Sequence, residues 1–168
     1  MDELDQSFAE GGEEVLDLAM ERYGQPLLRY CMGILCQEQD AQDVVQATFW
    51  KAYQRRSRFQ KGTSLSAWLY RIAYTTSIDL LRRRRVQSLF FPPPERPETE
   101  PMDETLREAL LALTPRERAL VLGRVLEEKS YEQLAEIFQA PPATLRKRYE
   151  RAKHKLAKLL TEAQTEKP

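Results

Sequence analysis

Apolar residues recur along most of the chain at α-helical spacing, three or four positions apart, and the alternation typical of strands is scarce. The first such segment, residues 13–36, carries Val15, Leu18, Ala19, Tyr23, Leu27, Leu28, Cys31, Met32 and Leu35. We expect a helix there, kinked or interrupted at Gly24 and Pro26, because proline removes a backbone hydrogen bond. After a polar turn, Asp40 is placed to cap a second helix from about Ala41.

A third helix is predicted from about Leu65 to Arg85, with Ser64 as its N-terminal cap. Beyond it, five of the chain's ten prolines fall within residues 92–101, interspersed with glutamates. Such a composition forms neither a helix nor a packed core, so an extended linker is expected. Its roughly 19 residues would span at most about 60 Å.

After the linker, short apolar segments alternate with polar caps. Thr114 is the expected cap of one helix and Ser130 the cap of the next. A turn at residues 139–142 then leads into a long basic helix over about 143–160, whose apolar positions recur at helical spacing. A short helix, a tight turn and a longer basic helix form the pattern of a helix-turn-helix motif.

Together these elements predict an all-α fold of two small helical domains joined by an extended linker. The expected bounds are 13–86 for the first domain, 87–104 for the linker and 105–162 for the second domain. No apolar run approaches the roughly 20 residues of a membrane span, so no membrane insertion is expected. The acidic N-terminus is unlike a signal peptide, and we expect a cytoplasmic protein.

The formal net charge is zero, yet the charges are segregated into blocks of alternating sign. Residues 1–50 carry eleven acids and two bases, whereas residues 51–91 carry ten bases and one acid. Residues 92–110 are again acidic, and residues 111–168 are basic. Two basic modules separated by an acidic connector predict two separate contacts with a polyanion, so the acidic first block must face a different partner.

The long basic helix is the first candidate for nucleic-acid contact. Its apolar face leaves several polar side chains exposed near its start: Thr144, Arg146, Lys147, Arg148, Glu150 and Arg151. In helix-turn-helix motifs this end enters the major groove, where Arg and Lys meet guanine edges or phosphates. We therefore predict DNA contact here, the alternative being a solvated basic helix.

A second candidate combines aromatic and cationic residues. Phe59, Trp68, Tyr70 and Tyr74 accompany Arg71 and the tract of four arginines at 82–85. Rings that stack on bases beside cations that bind phosphates suit unpaired nucleic acid. Core packing of Trp68 and an arginine-rich helix end in solvent explain the same residues equally well.

Catalytic chemistry has little material in this sequence. Cys31 and Cys36 lie five apart in a predicted helix, which is awkward for a disulfide, and two small buried thiols are expected. His154 is the lone histidine and belongs to the basic helix. Without a phosphate-binding loop, a metal-ligand cluster or a nucleophile–base set, no enzymatic activity, cofactor or metal is expected.

Several short segments, taken in their order along the chain, resemble two regions of bacterial sigma factors. Region two is resembled by residues 40–49 (DAQDVVQATF), 68–73 (WLYRIA) and 78–84 (IDLLRRR). Region four is resembled by residues 113–118 (LTPRER), 130–136 (SYEQLAE), 143–148 (ATLRKR) and 151–153 (RAK). The chain length and the single linker are similar to the extracytoplasmic-function group.

This resemblance implies a promoter-specificity subunit that binds core RNA polymerase and promoter DNA and is often held by an anti-sigma protein. Region two would bind the clamp helices of the β′ subunit through Asp40, Asp43 and Gln46. The melted upstream promoter element would meet Phe59, Trp68, Arg71, Thr75, Arg82 and Arg83. Region four would touch the β flap and read the distal element through Thr144, Arg146, Lys147, Arg148 and Arg151.

Several positions depart from the family's usual residues. Ala47 and Gln42 stand where acids are usual on the polymerase-facing helix, and Thr75 replaces an asparagine. Gln139 and Ala143 replace glycines of the turn; a left-handed conformation at Gln139 would cost about 1 kcal/mol. Two further hypotheses follow: a sigma-like accessory protein without independent promoter recognition, and a DNA-binding regulator that uses only the helix-turn-helix.

Overall fold

The computed structural model describes residues 2–60, 63–92 and 102–166, which form helices joined by turns and contain no strand. The helices are α1 (Glu3–Ser7), α2 (Glu13–Leu35), α3 (Glu38–Gln54), α4 (Leu65–Gln87), α5 (Glu104–Leu111), α6 (Pro115–Val125), α7 (Tyr131–Phe138) and α8 (Pro142–Glu166), with a 3-10 turn at Arg56–Arg58. The predicted all-α class is confirmed. Within the same residues, every helix is too short or too polar to cross a bilayer.

Of the kink or break predicted in the first long helix, the break is wrong. Helix α2 runs without a break from Glu13 to Leu35, with Pro26 inside it. The hydrogen bond lost at the proline is a local cost, whereas Leu27 and Cys31 in the following turns are fully buried. Tertiary packing of a buried face outweighs the local preference here.

The capping prediction for Asp40 is also wrong. Helix α3 begins at Glu38 with Gln37 as its N-cap, and Asp40 lies buried in its first turn. Its Oδ1 accepts a hydrogen bond from Nη2 of Arg84 at 2.5 Å, so the carboxylate joins α3 to α4. Asp40 therefore pairs with α4 from within the first turn of α3 instead of occupying the N-cap position.

The other three predicted caps are confirmed. The Ser64 hydroxyl accepts a hydrogen bond from the Ala67 amide at 3.2 Å. Thr114 and Ser130 each form a reciprocal capping box with the side chain three residues later, which satisfies two otherwise unpaired backbone donors at each helix start. These polar residues therefore fix where α4, α6 and α7 begin.

Helix α1 belongs to the N-terminal segment, whose order the sequence left open. Phe8 is fully buried, and its ring packs edge-on against Phe59 and Trp68, with centroids 6.1 and 6.2 Å away. The carboxylate of Asp5 accepts a hydrogen bond from the Leu65 amide at 3.1 Å, at the start of α4. The N-terminal segment therefore packs against Phe59 and Trp68 of the first basic block and contacts the start of α4.

Helices α1–α4 form a first unit and α5–α8 a second, and the two units share one continuous hydrophobic core. Helix α2 packs on α6, and α4 packs on α7. At the α2–α6 crossing, a Cβ on Gly33 would collide with the Leu122 side chain, so glycine lets the two helices approach. Half of the predicted linker, residues 93–101, lies outside the described residues.

A group of polar contacts also joins the two units at the edge of this shared core. The Glu127 carboxylate, 4% exposed, accepts hydrogen bonds from the Arg29 guanidinium at 2.9 and 3.1 Å and from the Tyr70 hydroxyl at 2.7 Å. Burial and this hydrogen bond raise the pKa of Tyr70, so its hydroxyl remains a donor. Lys129 Nζ lies over the Tyr70 ring and donates to Ser66 Oγ at 2.8 Å. We call this arrangement of the two units the closed arrangement.

Tyr30 and Tyr70 offer a matched test of this interface. Their rings are in edge contact, with centroids 5.0 Å apart, but the buried Tyr30 hydroxyl has no hydrogen-bond partner among the described residues. Tyr30→Phe should therefore raise the free energy of unfolding by about 1 kcal/mol, because an unpaired buried hydroxyl is removed. Tyr70→Phe deletes the same atom but breaks the hydrogen bond to Glu127. It should therefore lower the free energy of unfolding by about 1 to 2 kcal/mol.

Urea unfolding followed by circular dichroism measures both values on the full chain. Wild-type protein and the double variant complete the comparison. Equal destabilisation by the two single variants would show that the Tyr30 hydroxyl is paired in solution, and would contradict the prediction.

Candidate polymerase and nucleic-acid interfaces

Helix α3 presents one exposed stripe that includes two of its three predicted partner-binding residues. Asp43 and Gln46 are exposed, with Ala47 half-buried between them and Trp50 one turn further on. Positions three, four and seven apart share one side of a helix. Asp40 is not part of this stripe, since it is buried against Arg84. We call Asp43, Gln46, Ala47 and Trp50 the α3 face.

Trp50 was missed by the sequence analysis. Its side chain is 59% exposed, which is unusual for the largest apolar residue. Exposed tryptophans are enriched among residues that dominate protein–protein binding. The spacing from Asp43 to Trp50, two full turns, was the pattern that could have identified it.

The aromatic residues of the first basic block meet at one cavity of about 470 Å³, which we call the aromatic cavity. Phe59, Trp68 and Arg71, three of the residues predicted to meet the melted element, line it together. Phe59 is only 4% exposed and stacks obliquely under Trp68 at 5.3 Å between centroids, so it supports the cavity as its floor. Glu136 and Gln139 of the second unit close the opposite wall.

The remaining predicted contacts of this block lie along α4. Thr75, Arg82 and Arg83 are exposed, as is Arg71 one turn before Thr75. The Thr75 hydroxyl donates to the Arg71 carbonyl at 3.0 Å, so its proton is already used within the helix. Thr75 can therefore only accept a hydrogen bond from a ligand, whereas an asparagine amide could also donate.

Helix α8 exposes most of the predicted DNA-binding side chains at its N-terminal end. Arg146, Lys147, Arg148 and Arg151 are exposed, and Thr144 is half-buried. Arg146 lies over the Tyr131 ring of α7 at 5.0 Å, which fixes its direction.

The turn before α8 has the left-handed residue that the sequence analysis considered. Gln139 has φ 53° and ψ 49°, a conformation that costs a residue with a side chain about 1 kcal/mol. Its side-chain amide donates to the Glu136 carbonyl at 2.7 Å, which satisfies one of the free carbonyls at the end of α7. The glutamine therefore supplies a hydrogen bond that glycine lacks.

A second cavity, of about 490 Å³, brings the two basic blocks together. Arg148 and Arg151 of α8 line it together with Tyr74 of α4. Burial raises the pKa of Tyr74, against the opposing positive charges of Arg116, Arg82 and Arg148. Such a cavity is far too small for a DNA duplex, so Arg148 and Arg151 can meet a duplex only from their solvent-exposed side while the units stay together.

The two cysteines and the lone histidine lie in the environments predicted from the sequence. Cys31 and Cys36 are buried and form no disulfide, and burial raises the pKa of Cys31 to about 12. His154 is exposed on α8. Within residues 2–60, 63–92 and 102–166, no group of His, Cys, Asp or Glu side chains is arranged to hold a metal ion.

Comparison with known families matches both halves of the chain. The model described as "Sigma-70 region 2" matches residues 19–86, and the one described as "Sigma-70, region 4" matches residues 103–156. The RNA polymerase sigma-H factor of Pseudomonas aeruginosa is 30% identical, over 94% of this chain and 94% of its own. The RNA polymerase sigma factor YlaC of Bacillus subtilis is 28% identical, over 86% of this chain and 91% of its own.

Solved structures share the fold. The structure of CnrH in complex with the cytosolic domain of CnrY superposes with a TM-score of 0.76 at 24% identity, over 95% of this chain and 96% of that one. The sigma factor RpoE of Bartonella quintana, in complex with the anti-sigma factor NepR, gives a TM-score of 0.72 at 23% identity, with coverage of 86% and 96%.

The exposed cations at the start of α8 give a direct test of duplex binding. Lys147→Ala with Arg151→Ala should weaken binding of the full chain to duplex DNA, because two phosphate or base contacts are lost. The slope of log affinity against log salt concentration should become shallower by about two. Fluorescence anisotropy over a salt series measures both quantities.

Lys158→Ala is the matched control, since Lys158 is exposed on the same helix but beyond the predicted DNA-binding end. It should leave the affinity and the slope unchanged. An unchanged slope in the double variant would mean that Lys147 and Arg151 point away from the DNA.

Proposed function

Because this chain belongs to the extracytoplasmic-function group of sigma factors, which direct promoter recognition and transcription initiation by RNA polymerase, we propose how its surfaces divide that work. The α3 face binds core polymerase, the aromatic cavity and the exposed side of α4 receive the melted element, and α8 reads the distal element. The aromatic cavity is the observation that carries this assignment, since it joins stacking rings to arginine in region 2.

The proposed domains are 13–86, the linker 87–104 and 105–162, bounds that the matches to regions 2 and 4 support. The protein acts as a non-enzymatic subunit, because its role is to position polymerase on DNA. It works where polymerase works, in the cytoplasm.

The acidic first block supports the proposed polymerase contact. Residues 1–50 carry nine more acids than bases, and the α3 face is the part of this block that combines an exposed acid with an exposed tryptophan. An aromatic anchor surrounded by polar groups is the usual centre of a protein–protein interface. Trp50 thus offsets the acid that is missing at Ala47.

The α3 face predicts a specific loss of polymerase binding. Asp43→Ala with Gln46→Ala should weaken the affinity for core polymerase by about tenfold or more, and Trp50→Ala by a similar factor, since buried anchors each contribute about 2 kcal/mol. Binding of the labelled chain to purified core enzyme measures this. Glu38→Ala, exposed on another side of α3, is the control and should bind as wild type.

Run-off transcription from randomised promoters tests the whole assignment with the same variants. Wild-type protein with core enzyme should enrich a two-part promoter motif, and the α3-face variants should not. Core binding without any enriched motif would favour the accessory-protein hypothesis. Duplex binding without core binding would favour the DNA-binding regulator.

We further propose that the closed arrangement is a resting state. Glu136 and Gln139 of the second unit form one wall of the aromatic cavity, where an unpaired base would otherwise enter. The CnrH and RpoE structures are complexes with a bound partner, CnrY in one case and the anti-sigma factor NepR in the other. An anti-sigma protein that binds both units of this chain would keep them together.

Glu127 is the residue on which this resting state can be tested. Glu127→Ala removes the acceptor for Arg29 and Tyr70, so the units should separate more readily and the affinity for duplex DNA should rise several-fold. Small-angle scattering should show a larger radius of gyration at unchanged helicity. Glu128→Asn, which removes the neighbouring charge at a position with φ 51°, is the control.

Weaker or unchanged duplex binding by Glu127→Ala, at an expanded radius, would mean that opening does not limit DNA contact.

A further inference from the structure

The end of α4 presents three large apolar side chains to solvent. Leu89, Phe90 and Phe91 are 77%, 75% and 67% exposed. They belong to an ordered turn, in which the Phe90 and Phe91 amides donate to the Gln87 carbonyl at 3.0 and 2.9 Å. Among the residues that the structure describes, neither phenyl ring stacks on another aromatic ring or on a cation. Two rings held in water by a hydrogen-bonded turn are available to a ligand.

Cationic side chains lie directly beside these rings. Arg82, Arg83 and Arg85 are exposed on the preceding turns, while Arg84 is held by Asp40. A groove of about 620 Å³ is lined by Leu81, Arg84, Arg85, Gln87, Ser88, Phe91 and Pro92. Within the described part of the chain, the Arg85 guanidinium makes no ion pair.

This surface suits a nucleic-acid strand better than a protein helix. A docking groove for a helix offers apolar side chains alone, whereas this groove also carries two arginines, Arg84 and Arg85, beside Phe91. Aromatic rings that stack on bases, beside cations that take phosphates, are the usual components of a single-strand site. Duplex DNA hides its base faces and could use only the arginines.

The position along α4 makes the site continuous with the proposed melted-element surface. About 28 Å of helix separates Trp68 from Gln87, at 1.5 Å per residue, and Arg71, Thr75 and Arg82 are exposed between them. The match to region 2 ends at residue 86 and the match to region 4 begins at 103, so both phenyl rings lie outside either match.

We propose that Phe90 and Phe91, with Arg85, form a second single-strand site that stacks unpaired bases beyond the melted-element contacts of region 2. Together with the aromatic cavity and the exposed side of α4, this site would form one single-strand surface that reaches the start of the linker. This proposal rests on the proposed function, because promoter opening would supply the single strand. Unlike the aromatic cavity, it is uncovered in the closed arrangement and should bind a strand in the free chain.

The test measures binding of the full-length free chain to a labelled oligothymidine of about 12 nucleotides by anisotropy at low salt, a length within the range one such binding site covers. Phe90→Ala with Phe91→Ala should weaken this binding about tenfold or more, while duplex affinity stays unchanged. The Phe→Leu pair at the same positions keeps apolar area but not the rings, and should weaken it nearly as much. The Phe→Tyr pair should retain wild-type affinity.

Arg85→Ala should make the salt slope for the single strand shallower by about one. Because all of these side chains are exposed, the variants should keep wild-type helicity. Oligothymidine binding that survives in both the Ala pair and the Leu pair would overturn the proposal. So would a Leu pair that binds as wild type, since simple apolar contact would then suffice.

A core-polymerase binding assay distinguishes a single-strand site from a polymerase contact by the two rings. It also distinguishes failure of this proposal from failure of the proposed function. The Ala pair should bind core enzyme as wild type. Loss of core binding with unchanged strand binding would assign the two rings to a polymerase contact and overturn the proposal. Failure of the proposed function would instead appear as wild-type chain that binds oligothymidine but neither binds core nor enriches a promoter motif.

Discussion

One buried guanidinium holds the two units together. Arg118 is 4% exposed, and it donates to the Ile34 carbonyl at 2.9 Å and to the Leu113 and Leu110 carbonyls at 2.8 and 3.3 Å. These carbonyls lie at the ends of α2 and α5, where helices leave acceptors unpaired. Burial lowers the pKa of Arg118, but a guanidinium remains charged in proteins. The second unit therefore supplies the donor that completes a helix end of the first.

The contacts around Arg118 give an interface that is specific but not permanently closed. At its centre, Gly33 allows close approach of α6, and one buried hydroxyl, that of Tyr30, is left without a partner among the described residues. At its edge, the Arg29 side chain that pairs with Glu127 is 53% exposed, so water replaces it readily. Interfaces within one chain that include exposed polar contacts of this kind are expected to open more readily than wholly apolar ones.

Local features were predictable from the sequence, whereas contacts between units were not. The caps Ser64, Thr114 and Ser130 could be identified because capping depends on neighbours within one turn. Pro26 and Asp40 were misjudged, since burial of α2 and the pairing with Arg84 come from distant parts of the chain. In the sequence, Arg118 looks like any surface arginine, and its role depends on a carbonyl 84 positions away.

If the surfaces act as proposed, the closed arrangement also determines the order in which the chain binds polymerase and DNA. The α3 face, with Asp43 and Trp50, is exposed while the units are together, so polymerase can bind before they separate. Arg148 and Arg151 also line a cavity with Tyr74 that is too small for a duplex, so the closed arrangement restricts their contact with the distal element. If about 1% of molecules were open, apparent duplex affinity would fall about a hundredfold while polymerase affinity at the α3 face would not. On this proposed assignment polymerase binding would precede promoter reading, and a partner that spans both units would block the second step without covering the α3 face.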